Sequence, residues 1–330
     1  MAWREKRGKK TGVEIHIRAS DWFAHRHHTD ARYNNVILHI VLICDDSRPT
    51  LRQDGTRIPT CSLNDLPATQ AHQHMQWPCH HVMAQLNDEE RARLFMQAGT
   101  LRFTAKTRAF FESLQPAQSS DNFSAYDVCL IPALAEGLGY GRDRAFFHAV
   151  GLRLIGSTHS LPEPLGRAPQ PAPLDTSRLR ILHTLVAQWR TTGAWNAFRQ
   201  ALLAPCPEST KQPAPTPTRV LSVLHQLRSI FDGLGTARSD ILICNVVLPF
   251  AAAVAQQEHD FMLAEHAQNL YISYPGLPSN QITRAMCKQL LLKHEPKGAC
   301  QQQGLHFIYA QTCREKRCPA CLVGKQETSL

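Results

Sequence analysis

The 330-residue chain lacks any uninterrupted apolar run long enough to cross a bilayer. The longest, Ile241 to Ala255, has 15 residues and contains Asn245 and Pro249. No apolar segment follows the basic start MAWREKRGKK, so a secretory signal is not expected. These absences argue against a membrane partner and for a cytoplasmic protein whose thiols stay reduced. There is no glycine-rich phosphate loop and no internal repeat, which removes the common nucleotide-loop and solenoid classes. Acidic residues are the scarcer charge, 27 against 36 Lys plus Arg, for a formal charge of +9. The first ten residues hold +4 of that, so the rest is mildly basic and leans toward a polyanionic partner such as nucleic acid. Apolar residues make up 43% and charged residues 19%, a composition that supports a packed core and argues against wholesale disorder.

Histidine and cysteine are abundant. Of 17 histidines, His16, His25, His27, His28 and His39 fall within 24 residues. Of 11 cysteines, Cys313, Cys318 and Cys321 crowd together. In a reducing compartment such clusters point to metal ligands before disulfides.

The pattern predicts an α+β protein: a small N-terminal mixed β-sheet with flanking helices, then an all-helical C-terminal region. Gly12 to Arg18 alternates, with Val13, Ile15 and Ile17 expected to be buried and Glu14, His16 and Arg18 on the opposite face. Val36 to Ile43 is nearly continuous aliphatic, the pattern of a strand covered on both faces, with His39 its only polar residue. A further strand is expected near Leu51 and Ile58. Helices are expected over 87–114, with Asn87 or Asp88 as N-cap, and over 127–138, 142–154, 177–203 (interrupted at Gly193), 220–231, 259–271, 281–293 and 299–310. The 241–255 run is expected to kink or stop near Pro249. Ten of the 21 prolines lie in 162–173 and 205–217, which predicts exposed connectors. The expected division is an α/β domain over 1–155, a Pro-rich connector over 156–176 and a helical domain over 177–330 with a Pro-rich loop at 204–218.

Chemistry concentrates in the first forty residues. Glu14 and His16, two apart on a strand, share a face about 7 Å apart. His25, His28 and Asp30 have close spacings suited to ligation, and His25 and His28 share a face if that stretch is helical. His39 on the second strand can face the same place. Glu14 and His16 are the expected catalytic pair; His25, His28, Asp30 and His39 are the expected holders of Mg²⁺, Mn²⁺ or Zn²⁺. The competing reading makes these histidines structural: those of the cluster occupy a loop, and His39 in its apolar strand bonds a backbone carbonyl.

Several stretches resemble a bacterial family catalogued as domain of unknown function 2851. They are Val13-Glu14-Ile15-His16 running into Ser20-Asp21-Trp22, the His25 to Asp30 segment, and Tyr33 to His39. Gly137 to Arg142, Asn245 to Pro249, Leu277 to Asn280 and Gln302 to Leu305 extend the likeness over most of the chain. That family carries no activity to transfer. A looser resemblance is to the PD-(D/E)xK nuclease superfamily. It implies a divalent metal that activates water for phosphodiester hydrolysis, with Glu14-Ile15-His16 as the acid-x-Lys pair and His in the Lys position. The upstream Asp of that pattern has no counterpart among the 13 residues before Glu14.

Cys313, Cys318 and Cys321 have the spacing of thiolate ligands to zinc or an iron–sulfur cluster, with free thiols as the alternative. A helix over 299–310 would hold Cys300 about 20 Å from Cys313, leaving Cys79 or Cys287 as fourth ligand. The set resembles the iron–sulfur staple of some nucleases of that superfamily. Arg18, Arg102, Lys106 and Arg142 are the candidate phosphate contacts, with Arg91, Arg93 and Arg108 along the same helical segment; a solvated helix face is the alternative. The function expected from these features is a metal-dependent, nuclease-like phosphodiesterase. The rival is a non-catalytic module that binds nucleic acid or protein.

Overall fold

A computed structural model describes residues 11–64, 77–120, 122–139, 143–157, 160–161, 173–204 and 217–324. Arg142 and the proline-rich stretches 162–172 and 205–216 lie outside the described residues. The chain divides into two compact units, Met1–Gln76 and Trp77–Leu330. The helices over 88–154, grouped with the N-terminal part on sequence, belong to the second unit.

The first unit contains β1 (Gly12–Arg18), α1 (Asp21–Ala24), two 3-10 turns (His27–Thr29 and Ala31–Tyr33), β2 (Val36–Ile43) and β3 (Thr60–Ser62). The strands form a sheet of order β1-β2-β3, parallel at both joins, where the sequence suggested a mixed one. Parallel neighbours need a crossover, and residues 19–35 supply it. Trp22 on α1 is fully buried and forms a small core with Val36 and Ile58. The region expected to hold a strand near Leu51 and Ile58 instead has a single antiparallel bridge, Leu51 to Arg57, ahead of β3.

The crossover covers the face of β1 that carries Glu14 and His16. Val13, Ile15 and Ile17 on the other face are 49%, 67% and 66% exposed. This reverses the expected burial. Alternation correctly separates the two faces, but one short crossover can cover only one, and Trp22 packs beside His27 and His39 rather than the aliphatic row. β2 is likewise only partly covered: Val36, His39 and Val41 are buried, whereas Ile37, Leu42 and Ile43 are exposed.

The second unit is helical: α2 (Pro78–Gln85), α3 (Asp88–Leu114), α4 (Ala125–Leu138), α5 (Arg144–Leu154), α6 (Pro173–Thr192), α7 (Ala194–Leu203), α8 (Pro217–Ser229), α9 (Thr236–Leu242), α10 (Leu248–Glu258), α11 (Phe261–Ser273), α12 (Gln281–Gln289) and α13 (Ala299–Gln311). Asn87 starts α3 with a capping box: its side chain accepts from the Glu89 and Glu90 amides while the Glu90 carboxylate accepts from the Asn87 amide. Gly193, at φ +73°, breaks α6 from α7 where the sequence placed the interruption. Pro249 does not stop its helix. One π-type turn over Ile243–Val247 joins α9 to α10 just ahead of it, and the widened turn accommodates the missing N–H. The resulting stretch Thr236–Glu258 is long and apolar enough to cross a membrane, yet most of it is buried inside this unit.

α3 and α13 cross backbone to backbone. A Cβ on Gly99 would run into the Cys300 carbonyl, and one on Gly304 into the Phe95 carbonyl. This close approach sets Arg102 of α3 beside Gln303 of α13 and so shapes the cavity described below.

Candidate metal centre and cationic cavity

In the first unit three imidazoles converge on one point, with the Glu14 carboxylate beside one of them. His16 Nε2 lies 3.3 Å from His25 Nδ1, 3.3 Å from His27 Nε2 and 3.8 Å from Glu14 Oε1. The three imidazole nitrogens lie within 4.8 Å of one another. Donors arranged tetrahedrally at about 2.0–2.1 Å from one ion stand about 3.3–3.4 Å apart. The spacing therefore suits a single transition metal ion.

β1 supplies Glu14 and His16 from one strand face. α1 ends at Ala24, and Arg26 then takes the left-handed conformation, φ +59°. That reversal turns His25 and His27 inward together. A continued helix would instead have aligned His25 with His28, the alternative that the spacing allows. His27 stacks on Tyr33, ring centroids 3.8 Å apart, and meets the edge of Trp22.

Hydrogen bonds behind His16 fix its ring. His16 Nδ1 lies 3.0 Å from His39 Nε2, and with a metal on Nε2 it would keep the proton and donate to His39. His39 would then carry its own proton on Nδ1, which faces Thr50 Oγ1 at 3.5 Å, and Thr50 meets Thr60 Oγ1 at 2.6 Å. Such a relay behind a ligating imidazole holds its tautomer and orientation. Burial pushes His39 down to about 4, with His16 adding repulsion. Burial, then His16 and His25, likewise push His27 down to about 4. His16 is lowered by burial against the opposing pull of Glu14. Neutral imidazole is the metal-binding form.

The other sequence candidates stand apart. His28 packs against Phe23, with ring centroids 5.1 Å apart, and its Nδ1 has no hydrogen-bond partner among the described residues. Asp30 accepts from the Arg32 side chain at 2.6–3.0 Å and from its amide at 2.9 Å. Those bonds hold its carboxyl below the usual range. Arg18 pairs with Asp45 at 3.9 Å. His27 was absent from the predicted ligand set, and its only sequence signal was membership of the His-rich run.

In the second unit Cys79, Cys313, Cys318 and Cys321 line one small cavity of about 20 Å³. Two 3-10 turns, Cys313–Glu315 and Cys318–Ala320, return the chain so that the last three converge, and Cys79 comes from the start of α2. Cys321 is lowered because Cys313 donates to it, assisted by Thr312 and the Val323 and Gly324 amides. Burial raises Cys79. Cys300 is buried against Met96 on α3, and Cys287 does not line this cavity.

Arg102 and Lys106 face a second, much larger cavity of about 1130 Å³ in the same unit. Arg91 and Arg108 of the same helix do not join them: Arg91 bonds to the Met83 carbonyl and Arg108 pairs with Glu112. Stretches more than a hundred residues apart meet there, contributing Gly137, Asn245, Asn280 and Gln303.

Residues 7–156, under half of the chain, match the family described as Protein of unknown function (DUF2851). The likeness noted on sequence for the later stretches lies outside that match. No curated protein and no solved structure matches the chain.

Proposed function

We propose that the first unit is the hydrolytic centre of a divalent-metal-dependent phosphodiesterase of nuclease-like chemistry. The observation that carries this reading is the convergence of His16, His25 and His27 at ligand-to-ligand distances, with Glu14 3.8 Å from His16. A divalent ion bound there supplies Lewis acidity toward water and a phosphoryl oxygen. Three imidazoles with one carboxylate at the edge are the donor pattern of a centre that keeps a position open. His16, His25 and His27 hold the ion; Glu14 accepts the proton of the attacking water as the bond from phosphorus to the leaving oxygen breaks. His39 keeps His16 in its ligating tautomer. The formal charge of +9 makes nucleic acid the substrate to test first.

Glu14→Gln is expected to retain the metal and lose about 10²-fold or more in cleavage of single- or double-stranded DNA with Mn²⁺, Mg²⁺ or Zn²⁺. Unchanged cleavage removes Glu14 from the reaction; salt-dependent DNA binding without turnover in any metal supports the non-catalytic reading. Metal affinity is expected to fall with acidity. Histidines of the unfolded chain protonate near pH 6.5, whereas His27 and His39 in the fold resist protonation down to about 4. The stability of the unit is therefore full above about pH 6.5 and declines as pH falls toward 4, with metal release following the same direction.

We further propose that Cys79, Cys313, Cys318 and Cys321 bind an iron–sulfur cluster as a structural staple. A single zinc needs sulfurs about 3.8 Å apart around bonds of about 2.3 Å. Among the described residues the group of three donors at single-ion spacing is His16, His25 and His27 and not the thiols. These enclose a small void instead. Brown protein containing iron and acid-labile sulfide, lost in Cys318→Ser, is the expected result; stoichiometric zinc without iron points to a zinc staple. Reduced thiols of this kind fit a cytoplasmic location.

A further inference from the structure

We infer that the large cavity of the second unit binds a phosphate ester, with Arg102 and Lys106 as the anion-holding pair. This inference is independent of the metal centre.

The cavity, about 1130 Å³, is of the size that holds a nucleotide or larger ligand rather than a lone ion. Its wall is cationic: Arg102, Lys106, Arg144 and Arg238 face it. The carboxylate among its described lining residues, Glu136, is bonded to Arg144 at 2.6 Å. Among the described residues no carboxylate is bonded to Arg102 or Lys106. Arg102 donates through Nε to Gln303 Oε1 at 2.7 Å, and its two terminal nitrogens have no partner among the described residues. Lys106 Nζ donates to the carbonyl oxygen and to Oδ1 of Asn245, both at 2.8 Å, which are neutral acceptors. Asn245 lies in the π-type turn, and such turns recur at functional sites.

Enclosed cations without counter-charge are costly, and a bound dianion removes that cost. The field is visible in its neighbours. Burial, then Arg102, lowers Lys106 to about 7, and burial with Arg102 and Lys106 lowers His306 to about 4. An Arg fork beside a lysine matches the several oxygens of a phosphoryl group better than the two of a carboxylate.

The test is calorimetric titration of the full chain with thymidine 5′-phosphate, thymidine, inorganic phosphate and acetate. Thymidine 5′-phosphate and inorganic phosphate are expected to bind at least about 10-fold more tightly than thymidine and acetate. Arg102→Lys, which keeps the charge and removes the fork, is expected to weaken the nucleotide about 10-fold. Arg144→Gln, at the exposed end of the cavity, is expected to weaken it less and does not touch the α3–α13 contact. His16→Ala is expected to leave it unchanged, so that failure of the metal centre and failure of this site are told apart. Equal binding of thymidine and its phosphate, wild-type affinity in both arginine variants, or no binding of either phosphate probe overturns the proposal.

Discussion

His16→Ala is expected to abolish stoichiometric metal binding and, with it, hydrolysis. His16 Nε2 is the shared neighbour of His25, His27 and Glu14, so its removal leaves donors from the crossover with no fixed partner on the sheet. The loss should exceed the roughly 10–100-fold that follows removal of a hydrogen-bond partner behind a ligand. His39→Ala is expected to fall within that smaller range, because it leaves the three nitrogens in place and frees only the ring orientation of His16. His27→Ala is expected to behave like His16→Ala, while His28→Ala leaves affinity unchanged. The same logic places Arg26→Gly close to wild type, since glycine takes φ +59° freely, and Arg26→Val with His27→Ala, because a β-branched residue resists that conformation. Equilibrium dialysis with Zn²⁺ and Mn²⁺ measures all of these. Equal losses in His27→Ala and His28→Ala would mean that the crossover does not bring His27 to His16.

Gly304→Ala is expected to destabilise the second unit by about 3 kcal/mol or more, the upper end of overpacking effects. Its Cβ would meet the Phe95 carbonyl, with the Gly99 nitrogen 3.1 Å away, and backbone atoms in two helices cannot swing aside as a side chain can. For a unit of this size that corresponds to a fall in Tm of about 6–12 °C. Separation of α3 from α13 should also part Arg102 from Gln303 and weaken the phosphate ester. Gly235→Ser is the control, since a Cβ there meets nothing within 4 Å. Thermal unfolding followed by circular dichroism reads the difference; an unchanged Tm in Gly304→Ala would mean that the helices do not cross at that point.

Much of the fold could be read from local pattern. The capping box at Asn87, the break at Gly193 and the helical periodicity of the second half are properties of a few consecutive residues. Those properties act before any tertiary contact forms. The path through Pro249 could not be read that way, because a π-type turn upstream of a proline depends on the packing of the whole helix. The division between the units was also missed: α3, α4 and α5 follow the sheet in sequence but pack in the helical unit, α3 against α13 near the C-terminus.

By itself the sequence determined that β1 has a polar and an apolar face, that Glu14 and His16 share the former, and that three late cysteines belong together. These follow from the two-residue period of a strand and from short spacings along the chain. Only the tertiary structure decided which face of β1 is covered, that His27 and not His28 meets His16, that Cys79 and not Cys287 lines one cavity with the late cysteines, and that Arg102 and Lys106 line another. Each of those depends on where the backbone reverses and on which distant segment packs opposite, and a spacing along the chain records neither.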